Sequence, residues 1–377
     1  MSLDTHIPAR FDSSNIVDPA SVSPENFTIT GPDATARGRN RGEQAAEGIA
    51  RTFEAYSALF TAKGIDTAAQ ERGAQQSLEA LRAWDESQYR ELEGVAAGAG
   101  LELWQVGLVN GRTEILTLAD VEPHECSTLA NRDAAAGTAY SVQTWDWHVE
   151  FADVWHYHSV EGTEGRRSYA GFAEYGMLGK IGMNDAGVAV HLNILKNAAD
   201  HAGGVPVHSI LAGVLARAGS VQEAIDLVLS AETTSSSVIT VTGADRIVMI
   251  EIGPQHKQVI EIDGWGVHTN HFIGDEMMDG ALELKPVGST SQARYALLQE
   301  RVSTAEAPAG TADFLPLMST SGDEAPVCCV IDPAKPFGER TGTLVTVQFD
   351  PAAKVARMSP GNPKDVPHVA TTEFSFA

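Results

Sequence analysis

The sequence predicts a layered α+β protein, with two antiparallel-leaning sheets packed face to face and covered by helices. Three observations carry this. Up to about Ala119 the apolar residues recur at spacings of three and four, the helical period. From Cys126 onward the texture changes to short alternating runs rich in strand formers. Between those runs, helical segments are inserted, two of them back to back.

Taken in order, residues 1–30 are polar and proline-containing and read as an extended arm, with 31–377 as one domain. A helix is predicted over Arg39–Lys63, where Ala46, Ile49, Phe53, Tyr56 and Phe60 form one stripe and Gly64 ends the run. A second is expected over Thr67–Val95, with Leu78, Leu81, Trp84 and Leu92 on its apolar face. A third begins near Glu102 and carries Asn110, Arg112 and Glu114 near its end. After Cys126, strands are predicted over Thr138–Trp145 and Gly187–Ile194, the latter introduced by the turn Asn184-Asp185-Ala186-Gly187. Helices follow over Val207–Ala218 and from Ser220 to about Ala231, where Ser220 and Glu223 read as a capping box. Three strands come next, Ser237–Thr242, Arg246–Ile252 and Gln258–Ile262, then a helix over Thr290–Val302. The late strands are Val327–Ile331, Thr343–Phe349 and Val355–Met358.

Composition narrows the partners. The 377 residues are 43% apolar and carry a net charge of −24. Such a surface repels nucleic acid and anionic membrane, so neither is expected as a partner. No run of about 18 apolar residues is present to span a bilayer, and the N-terminal stretch lacks the apolar core of a secretory signal. The three cysteines, Cys126, Cys328 and Cys329, fit neither a disulfide framework nor a cysteine zinc site. A reducing, cytoplasmic setting is the expectation.

The chemistry is expected at Cys126, where helix texture gives way to strand texture and small hydroxyl residues follow. A cysteine nucleophile needs a base to make the thiolate. One option is a histidine. The other is the cysteine's own α-amine, whose ordinary pKa of about 7.7–8.0 suits general-base work. That amine exists only if the Glu125–Cys126 bond is first broken, which the same thiol can do by an N→S acyl shift. Asp146, between Trp145 and Trp147, can orient an ammonium or the thiol, or simply cap a turn. Asn270 can donate to an oxyanion. His268 and His271 are candidate ligands or bases, although H-x-x-H without a third ligand is a weak metal signal. Arg294, one turn into a helix opened by Ser291, can hold a carboxylate.

The order Cys126-Ser127-Thr128, Thr144-Trp145-Asp146-Trp147, Gly182 to Gly187, His268 to Phe272 and Ser291-x-x-Arg294, preceded by Asn110-x-Arg112-x-Glu114, resembles the isopenicillin-N (acyl-CoA:6-aminopenicillanate) acyltransferase family. The resemblance spans about residues 35–360. It implies an N-terminal-nucleophile (Ntn) hydrolase with a four-layer αββα fold, made as a precursor that cuts itself before the cysteine. The products would be an α chain, 1–125, and a β chain, 126–377, held as a heterodimer. It implies Cys126 as nucleophile, Asp146 beside its amine, Asn270 in the oxyanion hole and Arg294 completing the site. Trp145, Trp147, His268 and His271 become candidate substrate contacts. No cofactor or metal is implied, and acyl-CoA enters only as a substrate. The family's Gly-Cys junction is here Glu125-Cys126, a departure that bears on the rate of cutting.

The expected activity is opening of a C–N amide bond in a small-molecule substrate through a Cys126 thioester, with hydrolysis favoured over acyl transfer. Three other readings stand beside it. A choloylglycine or penicillin-V acylase relative shares the cysteine but usually lacks a long leading helical segment. An uncut Cys–His hydrolase would use His268 or His271. A catalytically dead scaffold would keep the fold alone.

Overall fold

A computed structural model describes residues 16–119, 126–163, 165–282 and 289–377. Among the described residues five α-helices precede Cys126: α1 (Ala34–Ala62), α2 (Thr67–Trp84), α3 (Glu86–Ala99), α4 (Leu103–Asn110) and α5 (Arg112–Leu116). The helix expected over Thr67–Val95 is two helices, because Asp85 leaves helical geometry at φ −145°, ψ 89°. Its carboxylate accepts from the Gln88 amide and starts α3. The third expected helix is likewise split, at Gly111.

Before these helices, β1 (Asn26–Ile29) takes the end of the expected arm into a sheet. Residues 1–15 lie outside the described residues. Beyond Cys126 come β2 (Ser127–Asp133), β3 (Thr138–His148), β4 (Trp155–Val160), β5 (Tyr169–Glu174), β6 (Ile181–Asn184) and β7 (Ala189–Ile194). Then follow α6 (Val207–Arg217), α7 (Val221–Ser230), β8 (Ser237–Thr242), β9 (Ile247–Ile252), β10 (Lys257–Ile262) and β11 (Gly264–His268). Last are α8 (Ser291–Ser303), α9 (Phe314–Met318), β12 (Thr341–Asp350), β13 (Val355–Pro360) and β14 (Thr372–Ser375). The strand expected over Val327–Ile331 is irregular loop. There Cys328 N–H donates to the Thr320 hydroxyl and Cys329 N–H to the Thr343 hydroxyl, so side chains take the donors a ladder would have used. At the α7 start Ser220 accepts from Glu223 N–H, but the Glu223 carboxylate returns to Gly219 rather than to Ser220. The expected box is therefore shifted by one residue in its second arm.

The strands form an eight-stranded sheet, β1-β4-β5-β6-β7-β8-β9-β10, and a six-stranded sheet, β11-β2-β3-β12-β13-β14. Neighbours run antiparallel throughout, except that β1 lies parallel to β4. The two sheets face each other. Gln143 of β3 donates to Asn193 of β7, His191 meets Ser141, and the Trp145 ring lies against Phe172 of β5. Because side chains alternate along a strand, the opposite residues of β2 and β3 point away. Leu129 and Val142 do so and cluster with Leu298, Val302, Phe314 and Met318 of α8 and α9. Helices α6 and α7 pack on the other face of the large sheet, Asn184 of β6 donating to the Leu215 and Ala218 carbonyls at the end of α6. The result is helix, sheet, sheet, helix, the αββα order the resemblance implies.

Two details position the site. Helices α1 and α3 touch backbone to backbone. A Cβ added at Gly38 would stand 1.9 Å from the Glu91 carbonyl oxygen, and one at Gly94 2.3 Å from that of Thr35. This closeness lets Arg37 pair with Glu91 in the interior at 2.7 Å. Second, β12 carries a bulge between Thr343 and Val345, opposite Asp146 and Trp145 of β3. An extra residue there locally bends the sheet and re-aims what lies beside it.

Candidate active site

Cys126 sits at the entrance to β2, only 3% exposed. The β2–β3 register sets Ser127, the residue after Cys126, across from Thr144, the neighbour of Trp145. Its sulfur lies against the Asp146 backbone, 3.5 Å from the nitrogen and 3.6 Å from the oxygen. Its carbonyl oxygen is held from two sides. Arg294 Nη1 donates to it at 2.9 Å and Asn193 Nδ2 at 3.0 Å. These two donors anchor the Cys126 backbone through its carbonyl.

Arg294 organises the rest. It is fully buried, and the same Nη1 reaches Ser127 Oγ at 2.8 Å while Nη2 donates to Asn270 Oδ1 at 2.9 Å. Its Nε donates to Thr290 Oγ1 at 2.9 Å, which ties the guanidinium to the start of α8. Every one of these contacts uses the planar fork, which a lysine cannot reproduce. Asn270 is oriented by its neighbours. Its backbone N–H donates to Ser291 Oγ at 2.8 Å, and Nδ2 donates to the Ile194 carbonyl at 2.9 Å. One hydrogen of the Nδ2 amide is thus used, and the second is the one an oxyanion can take.

The thiol is not a thiolate in this setting. Burial, reinforced by the Asp146 carboxylate, pushes Cys126 up to about 12. The Asp146 carboxylate is itself fully buried. That carboxylate lies within electrostatic reach of the Cys126 thiol.

The two tryptophans are placed differently from an open substrate surface. Both are buried, and each ring carries a cation of the chain itself: Lys180 Nζ is 3.5 Å from the centre of Trp145, and the Arg112 guanidinium carbon 3.8 Å from that of Trp147. His268 is bonded at both ring nitrogens, Nε2 with Glu251 Oε1 at 2.8 Å and Nδ1 with the Thr269 carbonyl at 3.0 Å. His271 Nδ1 meets Ser291 Oγ at 2.8 Å, and burial lowers its pKa to about 4. Both rings are thus engaged in bracing the Thr269–Asn270 turn and the start of α8. Among the described residues, no group of three His, Cys, Asp or Glu side chains is placed to hold a metal ion. Glu125, the residue before the expected cut, lies outside the described residues.

Cys126, Asp146, Asn270 and Arg294 therefore share one buried cluster. Asn193 was not among the expected site residues. It reads as one position of an apolar strand, and the available signal is a polar amide in a stretch destined for burial, which must find partners. Gln143 was missed for the same reason. Its Nε2 donates to Leu192 O at 2.7 Å and to Asn193 Oδ1 at 3.0 Å, which turns the Asn193 amide nitrogen toward Cys126. Glu174 and Lys180, beside Arg112, were also missed.

Residues 134–365 match the family described as acyl-coenzyme A:6-aminopenicillanic acid acyl-transferase, which is more than half of the chain. The chain is 27% identical over 348 residues to the acyl-coenzyme A:6-aminopenicillanic-acid-acyltransferase 40 kDa form of Emericella nidulans, covering 90% of this chain and 93% of that protein. Among solved structures, a penicillin V acylase from Agrobacterium tumefaciens is similar at 14% identity and a TM-score of 0.45, over 66% of this chain and 86% of its own. A conjugated bile acid hydrolase from Clostridium perfringens is similar at 11% identity and a TM-score of 0.42, over 66% and 92%.

Proposed function

The chain belongs to the acyl-coenzyme A:6-aminopenicillanic acid acyltransferase family, and from that premise we propose a self-processing amidohydrolase that works through Cys126. An enzyme of acyltransferase or acylase type follows from the family. The finer reading is that the chain cuts the Glu125–Cys126 bond and then uses the freed Cys126 amine as its base.

The observation that carries it is the cradle around one residue. Asn193 and Arg294 both donate to the Cys126 carbonyl, while the Asp146 backbone lies against the sulfur. This leaves the nitrogen side of Cys126 as the free variable. Once freed, the α-ammonium is stabilised by Asp146, and its neutral form takes the thiol proton. The thiolate attacks the acyl carbon of an amide substrate. The oxygen of the tetrahedral intermediate is met by the second N–H of Asn270, with Arg294 holding that side chain in place through its oxygen. The amine leaves with the proton, and water releases the acyl group from the Cys126 thioester. An acyl amino acid, a penicillin-like side-chain amide or an aminoacyl amine fits this chemistry.

Hydrolysis is the favoured outcome, because water is always available and a transferase must exclude it. The name of the Emericella nidulans relative supports the second outcome, in which an acyl-CoA donates the acyl group and a second amine receives it. The uncut Cys–His reading is disfavoured, because the bonds of His268 and His271 go to Glu251, Thr269 and Ser291 instead of to Cys126.

Intact mass and N-terminal sequencing of the purified protein test the first half. Two chains, the second beginning Cys-Ser-Thr, are expected, and a Cys126→Ala chain stays whole. A wild-type protein that remains one folded chain sinks the self-processing reading. Adding a competing amine during turnover of an acyl amide tests the second half. Free acid as the main product supports hydrolysis, and a new amide as the main product supports transfer.

A further inference from the structure

The reading above leaves the first cut without a base. Until the Glu125–Cys126 bond breaks, the Cys126 nitrogen is an amide and accepts no proton. The thiol is buried and far from ionising by itself. Arg294 and Arg112 stay protonated and cannot serve. The His268 and His271 rings are bonded elsewhere.

Among the described residues two further groups lie within electrostatic reach of the thiol, the Asp146 carboxylate and Lys180, and Lys180 is the one whose surroundings favour a neutral amine. It is only 1% exposed, on the loop that enters β6, and its Nζ lies 3.5 Å from the centre of the Trp145 ring. Trp145 is the neighbour of Thr144, which the strand register pairs with Ser127, the residue after Cys126. Lys180 and Cys126 lie within electrostatic reach of each other. Around the amine stand Glu174 of β5, with Oε2 at 2.7 Å, Arg112 of α5 on the same carboxylate at 3.1 Å, and His208 of α6. Tyr56 of α1 donates to the other Glu174 oxygen. One carboxylate thus serves two buried cations. Arginine keeps its proton, so the lysine is the one that gives way, and burial, with the Arg112 charge working against the Glu174 carboxylate, brings it down to about 7.

We propose that Lys180, directly or through one water, takes the thiol proton of Cys126 for the self-cleavage step. This rests on the self-processing reading. The neutral amine accepts the S–H proton. The sulfur attacks the Glu125 carbonyl carbon, forming a C–S bond. As the bond from that carbon to the Cys126 nitrogen breaks, the nitrogen takes the proton back from the Lys180 ammonium. Water then adds to the thioester, the C–S bond breaks, and Cys126 leaves with a free thiol and a free amine. One water is consumed, and no electrons are exchanged with any other group. The new amine lies on the reacting cysteine itself, and it takes over as base from there.

The experiment follows cleavage of the full chain by intact mass after dilution from denaturant, across buffers from mildly acid to mildly alkaline, with refolding followed by tryptophan fluorescence. Wild type is expected to cut faster as the pH rises through neutrality. Lys180→Arg keeps a cation over Trp145 but cannot accept a proton, and is expected to cut at least about 100-fold more slowly. A role in packing or charge alone would be rescued by the arginine. Glu174→Gln removes the anion that helps keep Lys180 protonated, so its rate profile is expected to move toward lower pH. Should Lys180→Arg fail to fold, the wild-type and Glu174→Gln profiles decide. Lys180→Arg cutting within a few-fold of wild type overturns the proposal while self-processing stands. So does a flat wild-type profile, or a Glu174→Gln profile that stays put or moves toward higher pH. A folded wild type that never cuts overturns both.

Discussion

Asn193 shows what a single side chain does in this site. Its amide nitrogen faces the carbonyls of Cys126 and His268, and its oxygen accepts from Thr128 Oγ1 and Gln143 Nε2. Every polar atom of the side chain is engaged inside the protein. Asn193→Asp keeps the shape but turns two donors into an acceptor aimed at carbonyl oxygens. The expected result is a folded protein whose kcat for amide hydrolysis falls by about 100-fold or more, checked by steady-state kinetics with circular dichroism as the folding control. Cys126, Asp146, Asn270 and Arg294 were legible as a set, because the order of their short motifs carries the family resemblance, although each motif alone is weak. Asn193, Glu174 and Lys180 carry no such mark. An asparagine within a strand and a lysine after a glycine are common on surfaces, and only the packing of two sheets brings Asn193 and Lys180 toward a cysteine.

At the scale of elements, the contact between α1 and α3 is made where neither helix has a side chain. Replacing Gly94 with alanine puts a methyl group 2.3 Å from the Thr35 carbonyl oxygen. Backbone on both sides cannot yield as a flexible side chain would, so the helices must separate and the Arg37–Glu91 pair must stretch. A loss of about 1–3 kcal/mol is expected, the ordinary cost of overpacking, measured by urea unfolding. The same helices illustrate what periodicity reads well and badly. The apolar stripe of α1 was visible because Ile49, Tyr56 and Phe60 face the core. The break at Asp85 was hidden, because a capping aspartate reads as one more polar residue in a helix. The strands β4, β5 and β6 were hidden for the opposite reason. They are buried almost throughout, so the alternation that marks a half-exposed strand is absent.

The whole molecule stores many ionisable groups in its interior, and their combined response sets its behaviour in acid. Burial lowers His148, His156 and His191 to about 3, from an ordinary 6.5. Between those limits the unfolded chain binds protons that the folded chain refuses, so stability falls as the pH falls through that window. Glu174 adds to this below 4.5. Burial raises its pKa, but the cations Arg112 and Lys180 outweigh that and hold it at about 2, a contribution lost on acidification. Glu114 acts the other way. Burial lifts it to about 7, so its carboxyl favours the fold more as the pH drops from 7 toward 4.5. The histidines outnumber it. The melting temperature is therefore expected to drop steadily below pH 6.5, and His156→Phe, which keeps the ring stacked on Tyr175, to show a shallower decline in differential scanning calorimetry.

The parallel seam between β1 and β4 has a consequence for molecularity. It joins strand Asn26–Ile29 to Trp155–Val160, on opposite sides of the expected cut. An intact chain makes that seam by closing a loop on itself, at a rate indifferent to dilution. In the cut protein the same seam is an encounter between two separate polypeptides. Heat or urea would then release a fragment that must find its partner again by diffusion. Recovery of the cut protein is accordingly expected to fall as it is diluted, while Cys126→Ala refolds equally well at every concentration, a contrast that native gels run after refolding will display.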